Sequence, residues 1–258
     1  MSKRIVSIHA HPDDAEILAG GTLAHLAARG HQITIVTMTP GDCGSVEFGA
    51  EEVAAMRRKE AASAAALIGA NYVCAEFRDM AIFNDDASRR RVTNLIRGLN
   101  PDIILTSAPS DYHCDHEATS VLVRDACFGV SCPNYIAGEA KAMSGIPHLY
   151  FMDSVEGRDR DGQPVKPDFS VNVETTFQTK RAMLAAHVSQ RDWLRKQHGM
   201  DDYLLTMEKW TRSRGEYCGV VMAEGFRHYK VHPYPLSPLL EELLEGFVLS
   251  EQPHYTVV

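Results

Sequence analysis

The stretch RIVSIHAHPDDAEIL, residues 4–18, changes its pattern halfway along. Residues 4–10 form an apolar run rich in β-branched side chains, which is typical of a buried strand. Pro12 interrupts this run, and apolar residues recur at helical spacing from Ala15 onwards. The stretch therefore predicts a strand, a tight loop and a helix, with the residues HPDD in the loop.

The HPDD loop carries one imidazole and two carboxylates. Ligands bind at the carboxyl ends of strands in a parallel α/β sheet, and a loop after the first strand lies there. These side chains suit a first-row metal, and catalytic Zn²⁺ takes three protein ligands and keeps one position open. Alternatively, Asp13 or Asp14 caps the helix, Glu16 complements the helix dipole and His11 is incidental. The loop alone leaves both interpretations open.

A second cluster of the same chemistry occurs at residues 111–116, which read DYHCDH. It follows the strand-like run 102–107 and precedes a helical pattern over 117–128. A helix cap needs one Asp or Ser and has no use for His113 or His116. Two such clusters at equivalent strand-to-helix corners favour a site between facing strand ends.

The rest of the chain alternates between strand-like and helix-like segments. This alternation predicts an α/β fold with a parallel sheet and right-handed crossovers. The pattern loosens after residue 130, and we expect one domain over 1–258, with a core at 1–130 and the remaining strands, helices and a C-terminal arm at 131–258. The predicted strands are 32–38, 71–77, 102–107, 146–152 and 169–173, and the later helices are 50–68, 85–99, 174–197 and 201–214, the last ended by Gly215.

Composition excludes several classes of protein. The net charge of −8 argues against nucleic-acid binding, which requires a basic face. The six cysteines form no C-x-x-C pair, so reduced thiols are expected. The first strand begins too early for a signal peptide, and no apolar run reaches membrane-spanning length. We therefore expect a cytoplasmic protein without a membrane span.

Several motifs together resemble those of the zinc-dependent de-N-acetylases related to PIG-L and LmbE. The match is carried by AHPDD at 10–14 and by the second cluster, which ends in DH at 115–116. Supporting signals are GGT at 20–22, the Arg57 and Glu60 pair, HxSQ at 187–190 and AEGF at 223–226. The resemblance spans nearly the whole chain.

The resemblance implies a Rossmann-like, mostly parallel sheet flanked by helices, with a C-terminal α/β extension. It implies that His11, Asp14 and His116 hold zinc and that Asp13 is the general base. Fe²⁺ could replace zinc in such a ligand set, because geometry and availability decide more than affinity. A homo-oligomer is also consistent with the resemblance.

The resemblance also implies roles for four residues besides the zinc ligands and the general base. His113 would stabilise the tetrahedral oxyanion, helped by Asp115, and the alternative is that His113 only lines its loop. Arg57 and Asp79 would contact the substrate, and the alternative for Arg57 is a surface ion pair with Glu60. The sequence departs from the family pattern at Cys114, where Pro is common.

The expected activity is hydrolysis of the N-acetyl group of an amino-sugar conjugate, a small-molecule substrate. A second possibility is a metal-dependent amidase acting on a non-sugar amide or a thiol conjugate. A third, from another class, is a non-catalytic Rossmann module for nucleotides, although the first loop lacks G-x-G-x-x-G and carries acids instead. An inactive metal-binding scaffold would be expected to lose the base, and Asp13 is present.

Overall fold

The computed structural model describes residues 1–198 and 203–250 of the chain. The strands are β1 (Arg4–His9), β2 (Gln32–Thr37), β3 (Asn71–Cys74), β4 (Ile103–Thr106), β5 (His148–Met152), β6 (Phe169–Asn172), β7 (Ala223–His228) and β8 (Val248–Ser250). The helices are α1 (Asp14–Ala28), α2 (Ala50–Ala66), α3 (Asp86–Leu99), α4 (Cys114–Gly129), α5 (Phe177–Ala185), α6 (Val188–His198), α7 (Tyr203–Cys218) and α8 (Leu239–Leu243).

The strands form one sheet in the order β3-β2-β1-β4-β5-β7-β6-β8. The first five in this order are parallel, and β7, β6 and β8 pair antiparallel. Strand β1 lies at the centre, where Ile8 pairs with Val36 on one side and Thr106 on the other. The order reverses between β1 and β4, so the loops after these two strands open into the crevice at the switch point. The predicted Rossmann-like, mostly parallel sheet with a C-terminal extension is confirmed.

Both faces of the sheet are covered, which explains why apolar residues predominate on both faces of the central strands. Ile5 faces a core built with α1, α2, α5 and α7, whereas Val6 and Ile8 face a core built with α3 and α4. The two cores fix β1 in register, because a shift by one residue would exchange its faces.

Two predicted helix limits in the C-terminal half of the chain are wrong. The helix expected over 174–197 is broken, because α5 ends at Ala185 and α6 begins at Val188. The helix expected to end at Gly215 continues to Cys218. A Cβ at Gly215 would lie 2.6 Å from the backbone of Val221, so this glycine permits close packing and does not stop the helix. Residues 201–202, where that helix was expected to begin, lie outside the described residues.

A buried carboxylate fastens α1 to the C-terminal half of the chain. Glu224 in β7 accepts hydrogen bonds from the backbone amides of Gly21 (2.9 Å) and Thr22 (2.8 Å), and Lys180 in α5 donates to it at 2.6 Å. A Cβ at Gly21 would lie 2.6 Å from Val173. The GGT and AEGF motifs thus contact each other, and this contact fixes the position of α1, the helix that follows the HPDD loop.

The C-terminal arm packs on its own domain. Leu240 and Leu244 are buried in the core, and β8 pairs with β6. Within the described ranges, no helix is both long enough and apolar enough to cross a membrane.

Candidate metal centre

The HPDD loop adopts a backbone conformation that turns its side chains into the crevice. Asp13 has a left-handed φ of 103°, which is uncommon for a residue other than glycine and marks a functional constraint. It occupies the N-cap position of α1, yet its side chain makes no capping hydrogen bond. Asp14 instead accepts a hydrogen bond from the backbone amide of His11 at 2.9 Å. The capping interpretation therefore does not account for these carboxylates.

The second cluster lies partly inside a helix. Helix α4 begins at Cys114, three residues before the helical pattern predicted from Glu117, because the side chain of His113 caps it. The expectation that a helix cap has no use for His113 is therefore wrong. The backbone amide of Asp115 donates to Nδ1 of His113 at 3.1 Å. Asp115 and His116 consequently project from the first turn of α4 towards the HPDD loop.

Three donor groups from the two clusters converge. His116 Nε2 lies 3.3 Å from His11 Nδ1 and 3.3 Å from an oxygen of Asp14, and the other Asp14 oxygen lies 3.7 Å from His11 Nδ1. Donors bound at about 2.0–2.2 Å in tetrahedral geometry are separated by roughly 3.3–3.6 Å. The separations of the donor set are close to those expected around a single zinc-sized divalent ion.

Each of the two converging histidines is held from behind by a carboxylate. Asp111 lies 3.0 Å from Nδ1 of His116, and Asp115 lies 3.3 Å from Nε2 of His11. Such carboxylate–histidine pairs fix the orientation of metal-ligating rings and increase their basicity. Asp111 belongs to the second cluster, but the sequence alone assigned it no role. Its position at the start of the DYHCDH motif was the one sequence feature that could have indicated a role at the site.

The charges of this cluster are mutually dependent. Burial would raise the pKa of Asp14, but the neighbouring His116 and His11 outweigh burial and hold that pKa well below its usual range. Burial would lower the pKa of His116, but Asp14 and Asp111 raise it well above the usual value. A metal ion would replace the proton on His116, since a ligating imidazole must be neutral.

Asp13 lies beside the converging donors and is almost fully buried. The Tyr203 hydroxyl donates a hydrogen bond to one of its oxygens, and an Arg57 nitrogen lies 4.0 Å from the other. Burial raises the pKa of Asp13, and the positive charge of Arg57 opposes that shift. Sequence reasoning missed Tyr203, because nothing local to it indicates that α7 begins at this carboxylate.

His113 is half-buried at the edge of the cluster. Its ring centroid lies 4.8 Å from that of His11 and 5.0 Å from that of His116. Burial, together with these two rings, lowers the pKa of His113. The carboxylate of Asp115 contacts His11 and the backbone amide of Met80 (2.7 Å), whereas the backbone amide of Asp115 contacts His113.

Arg57 lies behind the HPDD loop. Only 3% of the residue is exposed, and its side chain donates to the carbonyl oxygens of Pro12 (2.9 Å) and Gly41 (3.3 Å). Glu60 bonds instead to the backbone amide (2.9 Å) and hydroxyl (2.6 Å) of Ser189. Arg57 therefore does not form the surface ion pair with Glu60 that was the alternative interpretation.

Asp79 joins the loops that follow β2 and β3. It accepts hydrogen bonds from the Thr39 hydroxyl and from the backbone amide of Cys43, the latter at 2.9 Å. Its own backbone amide donates to Asp42 at 2.8 Å. Asp79 thus shapes the wall of the crevice on the β2 side.

Comparison with known proteins identifies relatives of both sequence and fold. A family model described as PIG-L, GlcNAc-PI de-N-acetylase, matches residues 6–127, which include both clusters. The 1D-myo-inositol 2-acetamido-2-deoxy-alpha-D-glucopyranoside deacetylase of Corynebacterium diphtheriae is 32% identical over 229 residues, which cover 74% of this chain and 77% of the relative.

Two solved structures have closely similar folds. The N,N'-diacetylchitobiose deacetylase of Pyrococcus horikoshii superposes with a TM-score of 0.74 at 26% identity, over 92% of this chain and 89% of the other. The 4-carboxy-2-hydroxymuconate hydratase GalB of Pseudomonas putida has the same TM-score of 0.74 at 20% identity, over 90% and 98% of the two chains. The fold is thus found with more than one named activity, so the site must decide between reactions.

Proposed function

Because the chain belongs to the PIG-L de-N-acetylase family, we propose that it is a zinc-dependent hydrolase that removes the N-acetyl group from an N-acetylglucosamine-type conjugate. The observation that carries this proposal is the convergence of His11, Asp14 and His116 at separations suited to one tetrahedral ion. Fe²⁺ is the alternative metal for this donor set.

An amide is a poor electrophile, so its hydrolysis near neutral pH requires a strong nucleophile. Bound zinc would supply one by lowering the pKa of a coordinated water to about 7. Asp13 would act as the general base, taking a proton from the attacking water and returning it to the leaving amine. The raised pKa of Asp13 supports this role, because a base with a pKa nearer neutrality also serves as the acid in the second step.

His113 supplies a donor to the oxyanion that forms from the carbonyl oxygen. The hydrogen bond from the Asp115 amide to Nδ1 supports a neutral ring with its proton on Nε2. The lowered pKa of His113 supports the same state. Asp115 then acts mainly through His11, whose ring it orients. Removal of His113 should lower kcat more than it raises KM, since an oxyanion donor acts in the transition state.

Asp79 lies at the crevice on the β2 side, whereas Arg57 is buried behind the HPDD loop, where the expected direct contact of Arg57 with substrate is not supported. We propose that both residues shape the site for the sugar. The buried guanidinium of Arg57 holds the carbonyl oxygen of Pro12 and thereby the conformation of the HPDD loop. Asp79 is the more accessible of the two and is the better candidate for a hydrogen bond to a substrate hydroxyl.

We further propose that residues 1–258 form one LmbE-like domain and that the protein is cytoplasmic and homo-oligomeric. The six free cysteines support a reducing compartment. The family resemblance supports the oligomer, and exposed apolar side chains such as Phe83 and Ile136 offer surface for it.

The decisive experiment measures amine release and water addition with three substrate classes, for zinc-loaded and chelator-treated protein. The classes are N-acetylglucosaminides, N-acetylated thiol conjugates and unsaturated carboxylic acids of the hydratase type. We expect zinc-dependent amine release from the first class only. Release from the thiol conjugates alone would favour the amidase alternative, and water addition to an unsaturated acid without amine release would assign the chain to the hydratase reaction.

A further inference from the structure

The side chain of Asp13 is held by a residue from the C-terminal half of the chain. The Tyr203 hydroxyl, in α7, donates a hydrogen bond to Oδ2 of Asp13 across 190 positions of the sequence. The other carboxylate oxygen, Oδ1, lies 4.0 Å from a nitrogen of Arg57, which is beyond hydrogen-bonding distance. The two oxygens of Asp13 therefore have different surroundings.

A carboxylate on a short side chain has a poorly defined plane unless a partner fixes it. The terminal torsion of an Asp side chain is broad and roughly two-fold, so its two oxygens can exchange positions. Asp13 makes no capping hydrogen bond to the helix that follows it. Arg57 holds the backbone of this loop through the carbonyl oxygen of Pro12. Tyr203 supplies a hydrogen bond to the carboxylate itself, which fixes its plane.

Tyr203 is suited to this task because both its ring and its proton are fixed. The ring packs against the core that contains Met207, which is buried one turn further along α7. Burial and the carboxylate of Asp13 raise the pKa of Tyr203 well above its usual value. The phenol therefore keeps its proton and stays a donor. A rigid aromatic ring with a polar end can hold a partner at a low cost in conformational entropy.

We propose that Tyr203 is a positioning residue for the general base. Its hydroxyl occupies Oδ2 of Asp13, so that Oδ1 takes a proton from the attacking water and later gives it to the leaving amine. The phenol proton stays on its own oxygen throughout. This inference rests on the proposed deacetylase function. Because the family model matches residues 6–127, the contact comes from outside the matched part of the chain.

The first measurement tests the hydrogen bond without reference to activity. Tyr203→Phe removes one oxygen atom and keeps the ring. In urea unfolding of chelator-treated protein, we expect its folding equilibrium constant to lie about tenfold or more below the wild-type value, because a hydrogen bond to a charged group is lost. An unchanged constant would mean that the bond contributes nothing, and it would overturn the inference whatever reaction the protein catalyses.

The second measurement separates positioning from a contact that only fastens α7. With methyl N-acetylglucosaminide, zinc-loaded Tyr203→Phe should keep its zinc, lower kcat for amine release about tenfold or more and change KM by less than about twofold. In the Asp13→Asn background no base remains to be positioned, so the same change should lower the residual kcat by less than about twofold. Equal losses of kcat in the two backgrounds would show that Tyr203 acts independently of Asp13 and would overturn the inference.

Tyr150→Phe is the matched control, since it also removes a buried phenol from a carboxylate. The Tyr150 hydroxyl donates to Glu241 at 2.8 Å and accepts from the backbone amide of Leu240 at 3.1 Å, both in the C-terminal arm. This variant should lower the folding equilibrium constant about tenfold or more and leave kcat at the wild-type value. Similar losses of kcat in Tyr150→Phe and Tyr203→Phe would overturn the inference and leave the deacetylase proposal intact. Absence of amine release by the wild-type protein would overturn the two together.

Discussion

The buried ion pair between Lys180 and Glu224 allows a quantitative prediction about stability. Both side chains are 1% exposed, and their charged atoms lie 2.6 Å apart. Lys180→Met keeps the apolar stem but leaves the Glu224 carboxylate with only two backbone donors, from Gly21 and Thr22. Removing one partner of a buried pair costs about 3–5 kcal/mol, because the other charge stays desolvated without compensation. For a domain of this size we expect Tm to fall by about 10 °C.

The matched control is a pair with the same separation and a different environment. Lys196 and Glu47 also lie 2.6 Å apart, but their side chains are 46% and 51% exposed. Lys196→Met should therefore lower the free energy of unfolding by less than about 1 kcal/mol. A double variant, Lys180→Met with Glu224→Gln, should recover part of the loss, because it removes the isolated charge.

The assay is urea unfolding followed by circular dichroism, on metal-free protein in chelator so that metal binding does not add to stability. The reasoning would be refuted if Lys180→Met were no more destabilising than Lys196→Met. It would also be refuted if the double variant were as unstable as the sum of its single changes, since the pair would then have no coupling.

Four further predictions concern the site and the response to pH. His116→Ala should abolish stoichiometric zinc in elemental analysis, and full occupancy in this variant would remove it from the ligand set. Asp111→Asn should keep the ligands but weaken zinc binding by about 10–100-fold in a competition titration, because the ring of His116 loses its carboxylate support. Asp13→Asn should retain zinc and lower kcat by about 10² or more, and a loss of zinc would instead identify Asp13 as a ligand. Burial lowers the pKa of His228 to about 4, so the unfolded chain binds this proton at a higher pH than the folded protein does. Between pH 6.5 and 4 the free energy of unfolding should therefore fall by about 2 kcal/mol more in the wild type than in His228→Gln, and equal declines in urea titrations of the two proteins would contradict this.

Local patterns predicted the parallel half of the fold well. The apolar runs before Pro12 and before Asp111 both become central strands, β1 and β4, as their composition indicated. Strands buried on both faces favour apolar residues on both sides, and that preference is visible in a short window of sequence. The same windows placed both His and Asp clusters at strand ends, and the structure brings those clusters together.

The C-terminal half was less predictable because its limits depend on contacts between distant segments. His187 lies in the break between α5 and α6, where its ring is buried 3.5 Å from Glu16 of α1. Gly215 lies inside α7, and the absence of a Cβ there leaves room for the backbone of Val221, which approaches the helix closely. Neither contact leaves a periodic trace in the residues around it, so local propensity predicted the wrong limits.

Local sequence patterns predict the alternation of strands and helices, the two loops that carry the candidate ligands and the resemblance to a family, because each depends on residues close together in the chain. Which side chains surround the candidate ligands depends on how distant segments fold against each other. Asp111 and Asp115 support one histidine each, Tyr203 reaches Asp13 from 190 positions away, and Arg57 is buried behind the loop. These contacts follow from the packing of α2, α4 and α7 around the switch point of the sheet. The burial and the neighbouring charges of each site residue, which shift its pKa, therefore depend on all the elements that surround the site.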